Sequence, residues 1–282
     1  MNIQILLVPY DTARRGWRAG LGPERLLQAG LVAHLLRQGH LVSDVQVIED
    51  DPAEPPAEIR TAFELHRRLA PAVRAARAAG RFPLVLSGNC NSSVGTLSGL
   101  SPERRAIFWF DAHGDLNTPD TTETGFLDGT GLATNLGWCW HQVAASVAGF
   151  SPVGPETTFL LGARDLDPLE LALLERVAIP IIPVAHIPER LPDLLARAPL
   201  DDTLGYVHFD VDVLDPGVGK PNRLPVPNGL TVQQVTGAIA AIRRRLPLGA
   251  AGVASYEPAF DSDGAIGRAV FAAIDAMVAG GA

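Results

Sequence analysis

Short apolar runs alternate with longer amphipathic stretches along the chain, and this alternation limits the possible folds more than any other feature. The runs are mostly continuous in apolar residues, as in strands buried on both faces of a parallel sheet. They are Ile3–Val8, Asp44–Ile48, Pro83–Leu86, Ala106–Phe110, Thr158–Leu161, Pro180–Pro183, Gly205–Phe209 and Gly252–Tyr256. The clearest helical patterns are Gly22–Gln38, Ala57–Ala79, Asp167–Val177, Thr231–Arg245 and Gly264–Met277. The alternation predicts a single three-layer α/β domain over residues 1–282, with a doubly wound, mainly parallel sheet of about eight strands.

Composition excludes several classes of function. The chain is 47% hydrophobic and 19% charged, which is enough apolar material for a large core. Its 23 basic and 31 acidic residues give a net charge of -8 with no basic stripe, so we expect no nucleic-acid partner. Cys90 and Cys139 are too few for a disulfide framework, and the amino-terminal apolar run is too short for a signal peptide or a membrane span. We therefore expect a cytoplasmic protein with a small-molecule partner and no membrane contact.

Polar side chains follow five of the predicted strands. They are Asp111, His113 and Asp115 after FWF; Asp210, Asp212 and Asp215 after YVHF; Arg164, Asp165 and Asp167 after FLLG; Glu257 after VASY; and Asn89, Cys90 and Asn91 after VLS. Ligands of open parallel α/β sheets bind beyond the carboxyl ends of the strands. Alternate residues at an extended strand end point the same way, so each acidic motif aims its donors at one place.

Converging carboxylates need a compensating positive charge. Four of them without one would repel each other and lose hydration, at a cost on the order of several kcal/mol. One or two divalent cations would offset this cost, and oxygen donors with one imidazole suit Mn²⁺ or Fe²⁺ better than Zn²⁺. Two cations sharing carboxylates would also lower the pKa of a bound water and generate a nucleophile. Each of the acidic motifs after FWF and YVHF, taken alone, also occurs in turns and helix caps that bind no metal. His141, His186 and His208 are interpreted as structural histidines.

Two motifs carry a family resemblance. DAHGDLNTPDTT and FDVDVLDP resemble the two metal motifs of the ureohydrolases, the family of arginases, agmatinases and formimidoylglutamases. RAGLGPERLLQAGL, LGARDLDPLE and SYEPAFD resemble further family segments in the same order. The resemblance implies an arginase/deacetylase-like fold, a homo-oligomer (trimer or hexamer) and a pair of Mn²⁺ ions. It also implies hydrolysis of a non-peptide C–N bond in a linear guanidino or amidino compound, with an amino-acid-like, arginase-type substrate.

The resemblance assigns metal ligands by motif position. Asp111 and Asp210 match the carboxylates that bridge the two ions in the family. His113 and Asp212 would complete the coordination of the second ion, and Asp115 would bind the first ion. Because it would bind a catalytic ion, Asp115 is also counted among the catalytic residues.

The resemblance also assigns substrate contacts. Glu257 matches the carboxylate that orients the guanidinium group, a task suited to a charge-assisted bidentate pair, and it is a catalytic candidate as well. Asn117 and Thr124 match positions that contact the α-carboxylate of the substrate in arginases. Asp167 and Glu170 match positions near its α-amino group. This set favours an amino-acid-like substrate over a simple amine.

Three residues depart from the family pattern. The GGDH motif is Ser87-Gly88-Asn89-Cys90 here, so Cys90 takes the place of a histidine ligand of the first ion. Asp128 stands where arginases have a histidine proposed as a proton shuttle, which makes it the third catalytic candidate. Leu224 replaces a threonine and alters the wall of the pocket.

These departures leave several alternatives open. Cys90 is either a thiolate ligand, which would favour softer metals, or a neutral bystander beside a single ion. The metal count is therefore two or one, and another divalent ion is possible. The alternative functions are a catalytically impaired family member that acts as a binding or regulatory protein, and a single-metal amidohydrolase of the deacetylase type.

Overall fold

The computed structural model describes residues 1–177 and 179–279 of the chain, with a parallel sheet at its centre. The strands are β1 Asn2–Val8, β2 Tyr10–Asp11, β3 Arg14–Arg15, β4 Leu41–Val42, β5 Gln46–Val47, β6 Phe82–Ser87, β7 Arg104–Phe110, β8 Thr158–Leu161, β9 Ile181–Ile182, β10 Thr203–Asp210 and β11 Leu248–Ala254. The helices are α1 Gly22–Gln28, α2 Leu31–Arg37, α3 Glu58–Ala78, α4 Ser93–Gly99, α5 Gly131–Asn135, α6 His141–Ala144, α7 Pro168–Leu174, α8 Ile187–Arg197, α9 Val232–Arg245 and α10 Ala265–Val278.

Within the described residues, the main sheet has nine strands: eight in the order β4-β1-β6-β11-β10-β7-β8-β9, and β5, which also pairs with β1. Every strand pair of this sheet within the described residues is parallel. Strands β2 and β3 form a separate antiparallel hairpin near the amino terminus. The predicted doubly wound, mainly parallel α/β fold is therefore confirmed.

Helices cover both faces of the sheet because successive strand residues point to opposite sides. On β1, Ile3, Ile5 and Leu7 join the core beneath α1, α2, α8, α9 and α10. Leu6 and Val8 join the other core, beneath α3, α4, α5 and α7. The continuous apolar runs in the sequence are the consequence of this two-sided burial. Among the described helices, none has the length and apolar character needed to cross a membrane.

Some predicted boundaries are wrong. The helix predicted over Gly22–Gln38 is two helices, because Gly30 has a left-handed backbone (φ 92) that ends the first and begins the second. The strands predicted over Asp44–Ile48 and Pro180–Pro183 shorten to β5 and β9, which make few sheet contacts. Four of the described helices, α4, α5, α6 and α8, lie outside the predicted helical stretches, and α5 and α6 are only five and four residues long. The longer two are α4 and α8. Their glycine, serine and proline content gives low intrinsic helix propensity, so burial against the sheet determines their conformation.

The free energy of unfolding is expected to depend on pH because His66 is buried. Its ring lies edge-on to Phe63 at 5.1 Å between centroids, and burial lowers its pKa to about 3. Because the folded pKa lies below the unfolded value of about 6.5, the stabilisation is complete above that pH and is lost as the pH falls towards 3. We expect this residue to lower the free energy of unfolding by about 2 kcal/mol between pH 7.5 and pH 5.

Urea unfolding at these two pH values checks the prediction. His66→Gln should lose that part of the pH dependence, whereas His141→Gln, a change at an exposed histidine, should retain it. Equal pH dependence in the wild type and in His66→Gln would contradict the assignment.

Candidate functional site

One cavity of about 460 Å³ opens at the carboxyl ends of the central strands. Strands β6, β11, β10, β7 and β8 are neighbours in that order, so the residues that follow them meet at one edge. The predicted site residues that line the cavity are Cys90, His113, Asp115, Asn117, Thr124, Asp128, Asp167, Glu170, Asp210, Asp212 and Glu257. Asp111 is buried directly beside them and contacts His113. The structure thus brings the whole predicted set together, in a space of the size that small ligands occupy.

Three of these residues form a compact group of possible metal ligands. One ligand atom each from Asp111, His113 and Asp212 lies within 4.8 Å of the other two. The Nδ1 atom of His113 is 3.3 Å from Asp111 Oδ1 and 3.4 Å from Asp212 Oδ2. Asp210 is tied to the same group, because its Oδ1 atom accepts a hydrogen bond from the Asp212 backbone N–H at 2.8 Å. The carboxyl ends of β7 and β10 and the turns that follow them therefore place three carboxylates and an imidazole close together.

The buried carboxylates of this group lack sufficient positive charge around them to keep their usual pKa values. Burial, together with the neighbouring Asp212, raises the pKa of Asp111 to about 6. Burial and adjacent carboxylates also raise the pKa values of Asp115 and Asp210. Burial opposes the protonation of His113, yet its hydrogen bond to Asp111 and the surrounding carboxylates raise its pKa to about 10. Each group shifts in the direction that reduces uncompensated negative charge.

The donor set fits divalent cations. Carboxylate oxygens dominate it, and Asp115 Oδ2 is buried without a hydrogen-bond partner among the described residues. Burial of an unpartnered carboxylate oxygen is unfavourable, and coordination to a cation would satisfy it. Asp115 also has a left-handed backbone (φ 50), a conformation that non-glycine residues adopt mainly in turns and at functional sites.

The segment that contains Cys90 is held tightly against the amino-terminal loop. A Cβ atom at Gly88 would collide with the Tyr10 carbonyl and the Gly20 backbone, so only glycine fits there. Beyond it, the Cys90 thiol lies 2.9 Å from Asp210 Oδ2 and 3.4 Å from Ser255 Oγ. Burial, followed by the charge of Asp210, raises the pKa of this thiol.

Asp128 lies in the cavity on a short turn, Leu127–Thr130. Its Oδ1 atom accepts a hydrogen bond from the Asn91 backbone N–H at 2.7 Å, and its Oδ2 atom accepts one from the Asn89 side-chain amide at 2.9 Å. Burial raises its pKa to about 7. The two asparagines beside Cys90 therefore orient Asp128 towards the site.

A guanidinium group already contacts Glu257. The Arg223 side chain donates from Nε to Glu257 Oε2 at 3.0 Å and from a terminal nitrogen to Oε1, which makes a bidentate pair. Glu257 is nearly buried, whereas about 40% of the Arg223 side chain is exposed. Leu224, the next residue, is half-exposed and forms part of the cavity wall. The glutamate predicted to bind a guanidinium thus has the geometry to do so.

The predicted contacts for the amino-acid end line the same cavity and are held by hydrogen bonds to each other and to the backbone. The Asn117 amide donates to Asp167 Oδ2 at 2.7 Å. Both carboxylate oxygens of Glu170 accept backbone hydrogen bonds, at 2.8 Å from Leu116 and 2.9 Å from Asp167. Glu170 therefore anchors the loop after β7 to the start of α7, and Asn117 Oδ1 accepts a hydrogen bond from the Thr121 hydroxyl at 3.0 Å.

Two residues of this region carry no functional prediction from the sequence. His208, interpreted as structural, precedes Asp210 by two positions on β10, and that alternation was the available signal for a shared face. Arg223 directly precedes Leu224, which departs from the family pattern, but nothing in the sequence indicates the contact of Arg223 with Glu257. The other two histidines interpreted as structural, His141 and His186, lie outside the cavity.

Comparison with known proteins identifies the family. A model of the Arginase family matches residues 1–279. The arginase of Bacillus caldovelox is 32% identical over 252 residues, which cover 82% of this chain and 83% of that protein. The arginase of Brevibacillus brevis is 31% identical over 240 residues, covering 78% and 80%.

Solved structures agree in fold. The native structure of the Bacillus caldovelox arginase has a TM-score of 0.89 at 27% identity, covering 99% of both chains. The formimidoylglutamase of Bacillus subtilis has a TM-score of 0.77 at 18% identity, covering 98% of this chain and 85% of that one, which shows a common fold alone. The ureohydrolase resemblance is confirmed, and the chain belongs to the arginase family.

Proposed function

We propose that this protein is a metal-dependent hydrolase that cleaves a non-peptide C–N bond in a linear guanidino or amidino compound with an amino-acid-like end. The observation that carries the proposal is the meeting, in one cavity, of a buried carboxylate–histidine cluster and a glutamate in bidentate contact with a guanidinium. The family matches support the same reaction class. By resemblance we also propose a cytoplasmic homo-oligomer, a trimer or hexamer.

Glu257 is the proposed anchor for the reacting end of the substrate. A carboxylate that holds a planar guanidinium through two parallel hydrogen bonds fixes both its position and its orientation. Arg223 demonstrates that this geometry is accessible within the cavity. A substrate guanidinium would replace Arg223, whose exposed side chain has room to move away.

The metal cluster is the proposed source of the nucleophile. Asp111, Asp210, His113 and Asp212 would hold the second ion, and Asp111, Asp210 and Asp115 would contribute to the first ion, the one beside Cys90. Bound there, Mn²⁺ or another divalent ion would activate water and polarise the scissile carbon. Asp111 and Asp210 keep their orientation through backbone hydrogen bonds from His113 and Asp212.

Proton transfer and substrate polarity are proposed for the remaining residues. Asp128, oriented by two asparagines, would exchange a proton with the reacting groups at the cavity wall. Asn117, Thr124 and Asp167 would contact the charged groups of the amino-acid end, and Glu170 would support them by fixing the loop.

One observation favours a second candidate, a catalytically impaired family member that binds a ligand or a partner. The Arg223–Glu257 pair occupies the proposed guanidinium position with a residue of the protein itself. A non-catalytic protein would keep this pair permanently closed, whereas an enzyme must open it during turnover.

Activity measurements separate the two candidates. Protein reconstituted with Mn²⁺ should release urea or an amine from at least one of a panel of guanidino and amidino acids, whereas agmatine and other simple amines should be poor substrates. A protein that binds metal but hydrolyses none of these compounds would support the non-catalytic candidate. Acylated amines in the same panel test a single-metal deacetylase activity.

Removal of the Arg223 side chain should improve substrate binding. Because the tethered guanidinium competes at a local concentration in the millimolar range, Arg223→Ala should lower KM for the guanidino substrate by about tenfold. Lys220→Ala, a change in the same loop at a cation that lies over Phe260, is the matched control and should leave KM unchanged. A KM that rises in Arg223→Ala would instead show that Arg223 contacts the substrate.

A further inference from the structure

A second group of possible metal ligands lies beside the first and shares one carboxylate with it. A ring nitrogen of His208, the Cys90 sulfur and an Asp111 carboxylate oxygen all lie within 4.8 Å of one another. The three residues are almost completely buried, with 1–2% of their surfaces exposed. Two ligand atoms on one ion are separated by up to about 4.4 Å, twice the metal–ligand bond length, so small side-chain adjustments would allow the three to share an ion.

The orientation of the His208 ring is determined by its neighbours in the sheet. His208 and Trp109 are register partners on β10 and β7, and their rings stack at 3.7 Å between centroids. Nδ1 of His208 lies 3.1 Å from the Tyr206 hydroxyl, whereas Nε2 has no hydrogen-bond partner among residues 1–177 and 179–279. Burial of a polar nitrogen without a hydrogen-bond partner is unfavourable, so a partner for Nε2 is expected.

A buried imidazole with an unpartnered nitrogen is not sufficient to indicate a metal site. His66 is also buried, and its Nδ1 atom is unpartnered in the described part of the chain. His66, however, belongs to no group of ligand atoms there, whereas His208 lies against a thiol and a carboxylate. In the adjoining cavity, Asp115 Oδ2 is a further buried atom without a hydrogen-bond partner among the described residues, and this observation does not depend on His208.

We propose that His208 and Cys90 are ligands of the first metal ion, which they bind together with Asp111, Asp115 and Asp210. His208 supplies from β10 the imidazole that relatives supply from the position of Cys90. The inference rests on the metal dependence of the proposed function, but it concerns which residues bind the first ion and which metal they select.

The proposed ligand set also has a hydrogen bond that orients its imidazole. Ligation through Nε2 requires the tautomer with a proton on Nδ1, and that N–H would donate to the Tyr206 oxygen. Stacking on Trp109 restricts rotation of the same ring. Such supporting contacts are typical of histidines that bind metals.

The two metal positions should differ in metal preference. The position formed by Asp111, His113, Asp210 and Asp212 contains oxygen donors and one imidazole, which suit Mn²⁺. The position that includes Cys90 and His208 adds a sulfur donor, which favours Zn²⁺, Co²⁺ or Fe²⁺. We therefore expect a mixed-metal centre when both kinds of ion are supplied.

Titration of the metal-stripped, full-length protein with Co²⁺ tests the proposal without relying on activity. A thiolate bound to Co²⁺ gives a charge-transfer absorption band in the near ultraviolet that oxygen and nitrogen ligands do not give. The wild type should show this band, and elemental analysis should find two equivalents of Co²⁺. Zn²⁺ should displace the ion that produces the band more readily than Mn²⁺ does.

Matched variants assign the ligands. Cys90→Ser should lose the band, and His208→Gln should weaken binding of the first ion by about 100-fold or more, since loss of even a supporting contact costs 10–100-fold. The controls are Cys139→Ser and His66→Gln, which remove the other buried cysteine and a buried histidine outside the group. Both controls should keep the band and the affinity.

The outcomes distinguish this proposal from the proposed function. A wild type that binds Co²⁺ without the thiolate band, or a His208→Gln variant of unchanged affinity, overturns the ligand assignment and leaves the metal-dependent hydrolase proposal intact. A wild type that binds no divalent ion overturns both. The wild-type spectrum remains decisive for Cys90 even if a variant fails to fold.

Discussion

Asp210→Asn is expected to reduce kcat/KM by a factor of about 10⁴ or more, the order found when one member of a catalytic unit is removed. Asp210 lies between the two groups of possible metal ligands. It contacts the Cys90 thiol on one side and the Asp212 backbone on the other. An amide in its place loses the negative charge with which both ions would interact.

The same substitution should leave the metal-free protein as stable as the wild type, or more stable. Burial and the nearby Asp212 raise the pKa of Asp210, so its charged form is unfavourable in the folded protein. Because the folded pKa lies above the unfolded value, the ionised side chain costs stability at neutral pH, and asparagine removes that cost. Activity and metal-free stability are thus expected to change in opposite directions.

Three measurements check this expectation: steady-state kinetics, metal content and urea unfolding in the presence of a chelator. Asp215→Asn is the matched control, because Asp215 belongs to the same sequence motif but accepts hydrogen bonds from Gly217 and Gly229 outside the cavity. The control should retain metal and activity. A metal-free Asp210→Asn protein that is much less stable than the wild type would show that Asp210 is principally structural.

Glu257→Gln should reduce kcat/KM for a guanidino substrate by about 10²–10³, because loss of a charge from a buried, hydrogen-bonded ion pair costs about 2–5 kcal/mol. Glu257 is almost buried and meets Arg223 in a bidentate pair. A neutral amide has only one acceptor oxygen and no charge to attract the guanidinium. The loss should appear mainly as a raised KM, since the contact is made in the ground state as well as in the transition state.

A double-mutant cycle with Arg223→Ala separates the two partners of Glu257. If the glutamate binds the substrate, its removal should be more damaging in the Arg223→Ala background, where the internal competitor is absent. Glu24→Gln is the matched control, because Glu24 pairs with Arg15 on the surface. A Glu257→Gln variant with normal KM and reduced stability would assign Glu257 to Arg223 alone.

The fold could be predicted because its evidence is local. Two-sided burial of a parallel strand makes a continuous apolar run, and helices between such runs have their own periodicity, so both can be recognised from neighbouring residues. The acids after β7 and β10 could be recognised for the same reason: each motif lies within a few residues. The break at Gly30 was missed because one glycine within an otherwise helical pattern does not reveal its own dihedral angles.

By itself, the sequence determined the α/β architecture and the edge of the sheet at which the acidic residues gather. Only the tertiary structure decided which of these groups have partners. It placed Arg223 against Glu257, 34 residues further along the chain, and Cys90 against Asp210, 120 residues away. It also left the buried Nε2 atom of His208 without a partner among the described residues. Hydrogen bonds and ligand groups of this kind depend on distances across crossover connections, whereas sequence patterns record only what each strand and helix buries along its own length.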